Sequence, residues 1–217
     1  PDLGPPASVH ISPQGDKVAY ARGASQHSLE IRNIDGSQAV SIYTDGVGSP
    51  PSNGAPPSGA DRIENVSWSP DGARIALAIR FSGSGTGSIW TMNADGSNRS
   101  RIYDYTSGAS GARIDWDRTG RYVFIADPVV QEAKRYDTVS NSLDASYFTS
   151  TSTNYYGSST RQFTPDNTRM YFLDWAGQNL YYQNNSALAA VNQVPIELQQ
   201  DPVLGSSRIL AFGISNP

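Results

Sequence analysis

The chain has 217 residues, of which 37% are apolar and 17% charged, and its net charge is −4. The basic residues are scattered, which excludes a nucleic-acid partner because phosphate binding needs a basic stripe. Cysteine is absent, so disulfides, thiolate metal sites and cysteine nucleophiles are excluded, and no apolar run reaches the 18 residues of a membrane-span candidate. Abundant hydroxyl and amide side chains, together with 12 tyrosines, predict an all-β protein.

The first predicted element is a strand that ends in a tight turn and leads into a second strand, and this motif occurs four times. It reads SVHISPQGDKV at 8–18, IENVSWSPDGARI at 63–75, ARIDWDRTGRYV at 112–123 and TRQFTPDNTRMY at 160–171. The turns close at intervals of 57, 48 and 47 residues, on Gly15, Gly72, Gly120 and Asn167. A Gly-, Pro- and Ser-rich insertion at 45–60 accounts for the longer first interval. The remaining period of about 47 residues is typical of propeller blades.

A second motif follows the first in each period and predicts a third strand, a tight turn and a fourth strand. It reads LEIRNIDGSQ at 29–38, SIWTMNADGSN at 88–98, AKRYDTVSNS at 133–142 and NLYYQNNSA at 179–187. Asp-Gly between apolar runs is a strong hairpin signal because both residues tolerate positive φ, and the glycines in these turns are Gly36 and Gly96. Each period therefore encodes four short antiparallel strands, which is the content of one propeller blade.

Together the two turn motifs resemble the TolB-type propeller repeat. The second repeat matches it almost letter for letter, with SPDG at 69–72 and NADGS at 93–97. The first repeat is a good match, and the third and fourth are degenerate. The resemblance covers roughly residues 7–187 and concerns the propeller module, since nothing in the chain could encode the α/β domain that precedes the propeller in TolB.

The resemblance implies a single β-propeller domain over residues 1–217, built from four-stranded antiparallel blades. Four blades are expected, at 7–62, 63–109, 110–157 and 158–200, followed by a partial fifth at 201–217. The usual six blades of TolB-type propellers would need about 280 residues at this period. We therefore expect a propeller that is shorter than usual, incomplete, or completed by a partner.

The strand alternation places both tight turns of every blade on one face of the disc and the longer connections on the other. Loops on a rigid scaffold commonly carry binding residues, so the long-loop face is the predicted binding face. Aromatic side chains are frequent at the centre of protein interfaces, and the candidates are Tyr105, Tyr155, Tyr156 and Trp175. Packing between blades is the alternative role for each of these rings. The rings that recur at one repeat position, Trp68, Trp116 and Phe163, are expected in the core.

No catalytic, metal-binding or cofactor-binding constellation is recognisable in the sequence. The turn aspartates lack the spacing of an EF-hand loop, and no two glutamates share a context that would serve a glycosidase. A Ser-His-Asp triad would have to use His10 on the first strand or His27 in a loop, and a G-x-S-x-G elbow is missing. We therefore expect a non-catalytic protein without a cofactor.

The resemblance implies a periplasmic or extracellular bacterial module that binds a protein or peptide partner through its long-loop face. Three alternatives stay open. The chain could be the propeller portion of a larger prolyl-oligopeptidase-like hydrolase, or a structural protein whose copies associate through open blade edges. It could also be a carbohydrate-binding propeller, because exposed tyrosine and tryptophan rings stack on sugars as well as on proteins.

Overall fold

The computed structural model describes residues 9–22, 28–44, 62–81, 86–106, 112–127, 132–144, 162–173, 179–186, 189 and 191–193. Within these ranges the chain forms sixteen β-strands and no helix, and accordingly no described helix is long and apolar enough to span a membrane. The strands form four separate four-stranded antiparallel sheets. The prediction of an all-β propeller with four-stranded blades is therefore confirmed.

Each sheet takes its four strands from consecutive chain segments and pairs them in chain order. Sheet 1 contains β1 (Val9–Ile11), β2 (Lys17–Arg22), β3 (Ser28–Asn33) and β4 (Val40–Thr44). Sheet 2 contains β5 (Arg62–Trp68), β6 (Arg74–Arg80), β7 (Thr86–Asn93) and β8 (Ser100–Thr106). Sheet 3 contains β9 (Arg113–Trp116), β10 (Tyr122–Asp127), β11 (Glu132–Asp137) and β12 (Ser142–Asp144). Sheet 4 contains β13 (Gln162–Phe163), β14 (Arg169–Leu173), β15 (Leu180–Asn184) and β16 (Val191–Gln193).

The first turn of every sheet has the same backbone hydrogen bond. The amide of the closing residue donates to the carbonyl three residues earlier over 2.8 to 3.1 Å, in the turns that begin at Ser12, Ser69, Asp117 and Thr164. The closing residues have positive φ, namely Gly15 (+71°), Gly72 (+66°), Gly120 (+70°) and Asn167 (+58°). Glycine and asparagine adopt this left-handed conformation at the lowest cost, which explains why the repeat ends on them.

The second turn of each sheet lies beside the first. In sheets 1 and 2 it contains Gly36 (φ +83°) and Gly96 (φ +82°). The second turn of every sheet donates one backbone amide to the first turn of the same sheet; in sheet 2, Ala94 N donates to Ala73 O over 2.8 Å. Both tight turns of a sheet therefore lie at the same edge, which we call the tight-turn edge.

The connections other than the tight turns all begin and end at the opposite edge, which we call the long-loop edge because the two longest connections of the chain start and end there. This follows from the antiparallel order of the described strands, because each connection joins strand ends that lie away from the tight turns. Two of these connections, at 45–61 and 145–161, have seventeen residues each. The predicted partial fifth blade at 201–217 lies outside the described residues.

Among the described residues the hydrophobic core consists of three clusters, one between each pair of successive sheets. Sheets 1 and 2 present small side chains to the next sheet, such as Ala19 and Ala76, and both are fully buried. Sheet 3 presents Phe124, whose ring centroid lies 5.1 Å from that of Phe163 in sheet 4. Burying each large side chain stabilises the fold by about 1.5–3 kcal/mol, so packing between sheets is a major source of stability.

Candidate functional site

Side chains link the turns of successive sheets along the tight-turn edge. Between sheets 1 and 2, Gln14 Nε2 donates to Pro70 O over 3.1 Å. Between sheets 3 and 4, Arg118 donates through Nε and Nη2 to Phe163 O over 3.3 and 3.2 Å. Arg74 makes the link between sheets 2 and 3. Much of the hydrogen-bonding capacity at this edge is therefore used within the chain.

A cavity of about 360 Å³, which we call the axial cleft, lies where the first strands of the four sheets meet, close to the tight turns. Each sheet contributes to its wall the polar residue that lies two positions before its first turn residue, and these four residues are His10, Ser67, Asp115 and Gln162. Arg118, in the first turn of sheet 3, also lines the cleft. The repeat thus brings four chemically different polar side chains from distant positions in the chain to one place.

Aromatic rings from three of the sheets complete the wall of the axial cleft. They follow the polar positions by one residue, and they are Trp68, Trp116 and Phe163, with 8%, 5% and 3% of their surface exposed. The prediction that these three rings belong to the core is confirmed. Trp68 Nε1 donates to His10 O over 3.1 Å and joins sheet 2 to sheet 1, whereas Trp116 Nε1 is buried without a hydrogen-bond partner.

The axial cleft combines a buried acid with a neutral histidine. Asp115 is 7% exposed. Burial lowers the pKa of His10, so its imidazole is uncharged at neutral pH. The guanidinium of Arg118, which lines the cleft, donates to the Phe163 carbonyl. This arrangement suits a ligand with hydrogen-bond donors and an apolar surface.

The axial cleft brings a serine, a histidine and an aspartate together, but not as a hydrolytic triad. A triad needs a hydrogen bond between the nucleophile and its base. His10 Nε2 has no hydrogen-bond partner, and Ser67 Oγ accepts the Trp116 amide over 3.2 Å. Among the described residues, no group of three or more histidine, aspartate or glutamate side chains could hold a metal ion.

Tyr105 is not an exposed contact residue, and that prediction is wrong. Its side chain is 3% exposed, and its hydroxyl donates to Glu64 Oε2 over 3.1 Å. Strand β8 continues through Thr106, so Tyr105 lies within the sheet, directly opposite Gly87. Because Gly87 has no side chain, the tyrosine ring occupies the space beside it. The ring belongs to the core cluster between sheets 2 and 3, which is the alternative role that the sequence allows.

The other three candidate contact residues, Tyr155, Tyr156 and Trp175, lie outside the described residues, as does His27. The sequence did not predict the polar residues of the axial cleft as a group. The signal that could have found them is positional, because each precedes a recurrent strand-ending residue by one position. Their side chains are of four different types, so a search for one residue type that recurs in every repeat does not find them.

Comparisons with known proteins connect the four sheets to β-propellers. The chain is similar in structure to TolB from Acinetobacter baumannii, with a TM-score of 0.55 and 16% identity over 86% of this chain. It is similar to a putative TolB from Agrobacterium tumefaciens, with a TM-score of 0.57 and 15% identity over 88% of this chain. The β-propeller domain of the Trilobed protease from Pyrococcus furiosus gives a TM-score of 0.55 and 12% identity over 90% of this chain.

These likenesses establish the propeller fold. The matched regions cover 43% of the Acinetobacter protein, 67% of the Agrobacterium protein and 59% of the Pyrococcus domain. The chain therefore spans between 43% and 67% of the length of these structures. No protein-family model matches the sequence, and no curated protein sequence matches it.

Proposed function

We propose that this chain is a non-catalytic β-propeller module of the cell envelope or exterior that holds a protein partner at its long-loop edge. One structural contrast carries the proposal. The tight turns are bonded to one another within and between sheets, whereas all the longer connections start and end at the opposite edge. A rigid scaffold that collects long connections at one edge is a common arrangement for binding.

Two further observations support the proposal. The turn motifs resemble the TolB-type repeat, and the fold is similar to that of TolB structures. The tyrosines at 155 and 156 and the tryptophan at 175 belong to the segments 145–161 and 174–178, whose flanking described strands end at the long-loop edge. Rings of this kind supply large contact areas at low entropic cost in protein interfaces.

Site-specific photo-crosslinking tests where the partner binds. A photoreactive phenylalanine analogue replaces Tyr155 in one variant and Val139 in a second. Val139 is 72% exposed and lies in a second tight turn, so it is the matched control on the opposite edge. After incubation with an envelope extract, we expect one defined protein adduct from position 155 and none from position 139.

A double variant, Tyr155→Ala with Tyr156→Ala, adds a quantitative test. We expect its affinity for the crosslinked partner to fall at least tenfold, the effect of losing about 1.4 kcal/mol of binding free energy. Val139→Ala should bind like the unmodified chain. Crosslinking from position 139 alone, or equal affinity of the double variant, would contradict binding at the long-loop edge. Fractionation of the source cells, with an antibody against the chain, tests the location separately.

A second candidate function is the capture of a small polar ligand in the axial cleft. It is favoured by the four polar residues that the repeat places around one cavity with aromatic walls. Ligand-observed NMR with free amino acids and monosaccharides would reveal such binding. We expect Asp115→Asn to weaken any hit at least tenfold, while Val139→Ala leaves it unchanged. A panel without hits, or hits that Asp115→Asn does not affect, would rule out this function for those ligand classes.

A further inference from the structure

The described wall of the axial cleft carries one acidic and one basic side chain. The acid is Asp115, which precedes the last residue of β9, and the base is Arg118 in the first turn of sheet 3. His10 is the remaining ionisable group of this wall, and it is uncharged at neutral pH because burial lowers its pKa. A ligand in the cleft therefore meets one negative and one positive charge.

Three side chains of the wall have hydrogen-bond donors for a ligand. Trp116 Nε1 is buried without a hydrogen-bond partner, and a buried donor that makes no bond is costly. Ser67 Oγ accepts the Trp116 amide over 3.2 Å, which leaves the hydroxyl proton for donation. Arg118 donates through Nε and Nη2 to the Phe163 carbonyl, while its Nη1 donates to no described residue. Donors that include a guanidinium suit a carboxylate group.

Asp115 and the apolar part of the wall suit the rest of such a ligand. A carboxylate has about four acceptor sites, so buried Asp115 can accept an ammonium group in addition to its interactions within the chain. Val66, Phe163 and the two prolines, Pro13 and Pro70, give the cleft an apolar surface. Its volume of about 360 Å³ lies at the lower end of the range for small-molecule pockets. The cleft therefore fits a small compound with two opposite charges and an apolar group.

We propose that the axial cleft binds a free α-amino acid with an apolar side chain. Its ammonium group binds Asp115, and its carboxylate accepts hydrogen bonds from Arg118 and from Trp116 Nε1. The proposal rests on the second candidate function, the capture of a small polar ligand, and names the class of that ligand. A simple carboxylic acid would bring a like charge to Asp115, and a simple amine would bring one to Arg118. A neutral sugar would form no ion pair with either residue.

The indole signals in an NMR spectrum of the full chain, labelled with nitrogen-15, test the proposal. The chain has four tryptophans, and the Trp116 signal is assigned by its loss in Trp116→Phe. We expect L-leucine to shift this signal, because Trp116 Nε1 gains an acceptor. Trp90 is the internal control, since its Nε1 donates to Ser88 Oγ over 2.7 Å and it does not line the cleft.

Derivatives of L-leucine remove one charge at a time without changing the protein. N-acetyl-L-leucine lacks the ammonium group, and L-leucinamide lacks the carboxylate. We expect both to bind at least tenfold more weakly than L-leucine, since each loses charge-assisted hydrogen bonds. D-glucose, which carries no charge, should leave the Trp116 signal in place.

Variants of the chain test the two charged residues. We expect Asp115→Asn and Arg118→Gln each to weaken the binding of L-leucine at least tenfold. Arg121→Gln is the matched control, because Arg121 pairs with Asp137 and does not line the cleft; its affinity should equal that of the unmodified chain. A Trp90 signal at its usual position shows that sheet 2 of each variant is folded.

Equal affinity for L-leucine and either derivative would overturn the proposal, and so would unchanged affinity in Asp115→Asn or Arg118→Gln. A Trp116 signal that shifts with D-glucose but not with L-leucine would overturn it as well. In each of these cases the cleft still captures a small polar ligand, so the second candidate function stands. If no compound shifts the Trp116 signal, or if the Trp90 signal shifts equally, the proposal and the second candidate function both fail for these ligand classes.

Discussion

The guanidinium carbon of Arg74 in sheet 2 lies 4.6 Å from the ring centroid of Trp116 in sheet 3. The same guanidinium donates to the Gly120 carbonyl and, over 3.2 Å, to Thr138 Oγ1. One side chain thus contacts the last residue of β9 and both tight turns of sheet 3. Arg74 lies two residues after Gly72, which closes the first turn of sheet 2. This turn therefore also helps to hold sheet 3 in position beside sheet 2.

We expect Arg74→Ala to lower the free energy of unfolding by about 2–3 kcal/mol, because it removes a cation–π contact and two hydrogen bonds. Arg74→Lys should lower the free energy of unfolding by a smaller amount, since an ammonium keeps the charge but cannot reach all three partners. Denaturant unfolding measures both. Arg101→Ala is the control: its ion pair with Asp104 lies on one exposed strand, and removing it should cost less than about 0.5 kcal/mol. Equal effects of Arg74→Ala and Arg101→Ala would show that the link between sheets 2 and 3 contributes nothing.

Gly87 and Tyr105 give a second prediction. A Cβ atom on Gly87 would stand 2.3 Å from Tyr105 Cζ and 2.5 Å from the Ile79 carbonyl oxygen. We expect Gly87→Ala to destabilise the fold by about 1–3 kcal/mol through overpacking. Tyr105→Phe removes the hydroxyl that donates to Glu64 and should cost about 1 kcal/mol. In near-ultraviolet circular dichroism, Gly87→Ala should also change the aromatic signal. A Gly87→Ala protein with unchanged stability would show that the Tyr105 ring moves aside without a cost in folding free energy.

The sequence predicts the sheets well because their turns are local structures. Ser69 illustrates this: its hydroxyl oxygen accepts the Arg74 amide over 2.9 Å, and both residues belong to one short motif. The burial of Tyr105 was not predicted because no local sequence pattern marks the residue at which strand β8 ends. Its burial depends on Gly87, eighteen residues earlier, and on the register shift between Ile89 and Trp90 in the same pairing.

The axial cleft was not predicted from the sequence either, and the reason is different. Its members are brought together by the packing of whole sheets, and no short-range pattern encodes that packing. The recurrent aromatic position could be recognised because Trp68, Trp116 and Phe163 are chemically alike. The neighbouring position holds His10, Ser67, Asp115 and Gln162, and only the structure shows that these four residues surround one cavity.

Asn167 allows the backbone and side-chain roles of a turn residue to be separated. Its φ is +58°, its Oδ1 accepts the Arg118 amide over 3.1 Å, and its Nδ2 donates to Asp117 Oδ2 over 3.1 Å. Asn167→Gly keeps the left-handed backbone but loses both links to sheet 3, which should cost about 1–2 kcal/mol. Asn167→Ala loses the links and also strains the backbone, which should add about 1 kcal/mol.

Denaturant unfolding of both Asn167 variants provides the measurement, and the difference between them isolates the backbone contribution. A suitable reference is Gly15→Ala, since a Cβ there meets no atom within 4 Å while φ is +71°. We expect Gly15→Ala to lose as much unfolding free energy as separates Asn167→Ala from Asn167→Gly. If Asn167→Ala and Asn167→Gly were equally stable, the left-handed conformation would not limit the choice of residue at this turn.

Asp166 makes the stability of the first turn of sheet 4 depend on pH. Its carboxylate accepts bonds from the Thr164 hydroxyl (2.6 Å), the Thr168 amide (3.1 Å) and the Thr168 hydroxyl (2.8 Å). These bonds, that from Thr164 foremost, lower the pKa of Asp166 from 3.8 to about 2. Because the folded pKa lies below the unfolded one, the stabilisation is fully present above about pH 4 and is lost as the pH falls toward 2.

Asp166→Asn isolates this contribution from those of the other acidic residues, because asparagine keeps an acceptor oxygen but does not titrate. We expect the variant to melt at a lower temperature than the unmodified chain at pH 6, and the gap between the two to close as the pH approaches 2. Thermal unfolding between pH 2 and pH 6, at constant ionic strength, measures the gap. A gap that stays constant over this range would mean that the charge of Asp166 does not strengthen the turn.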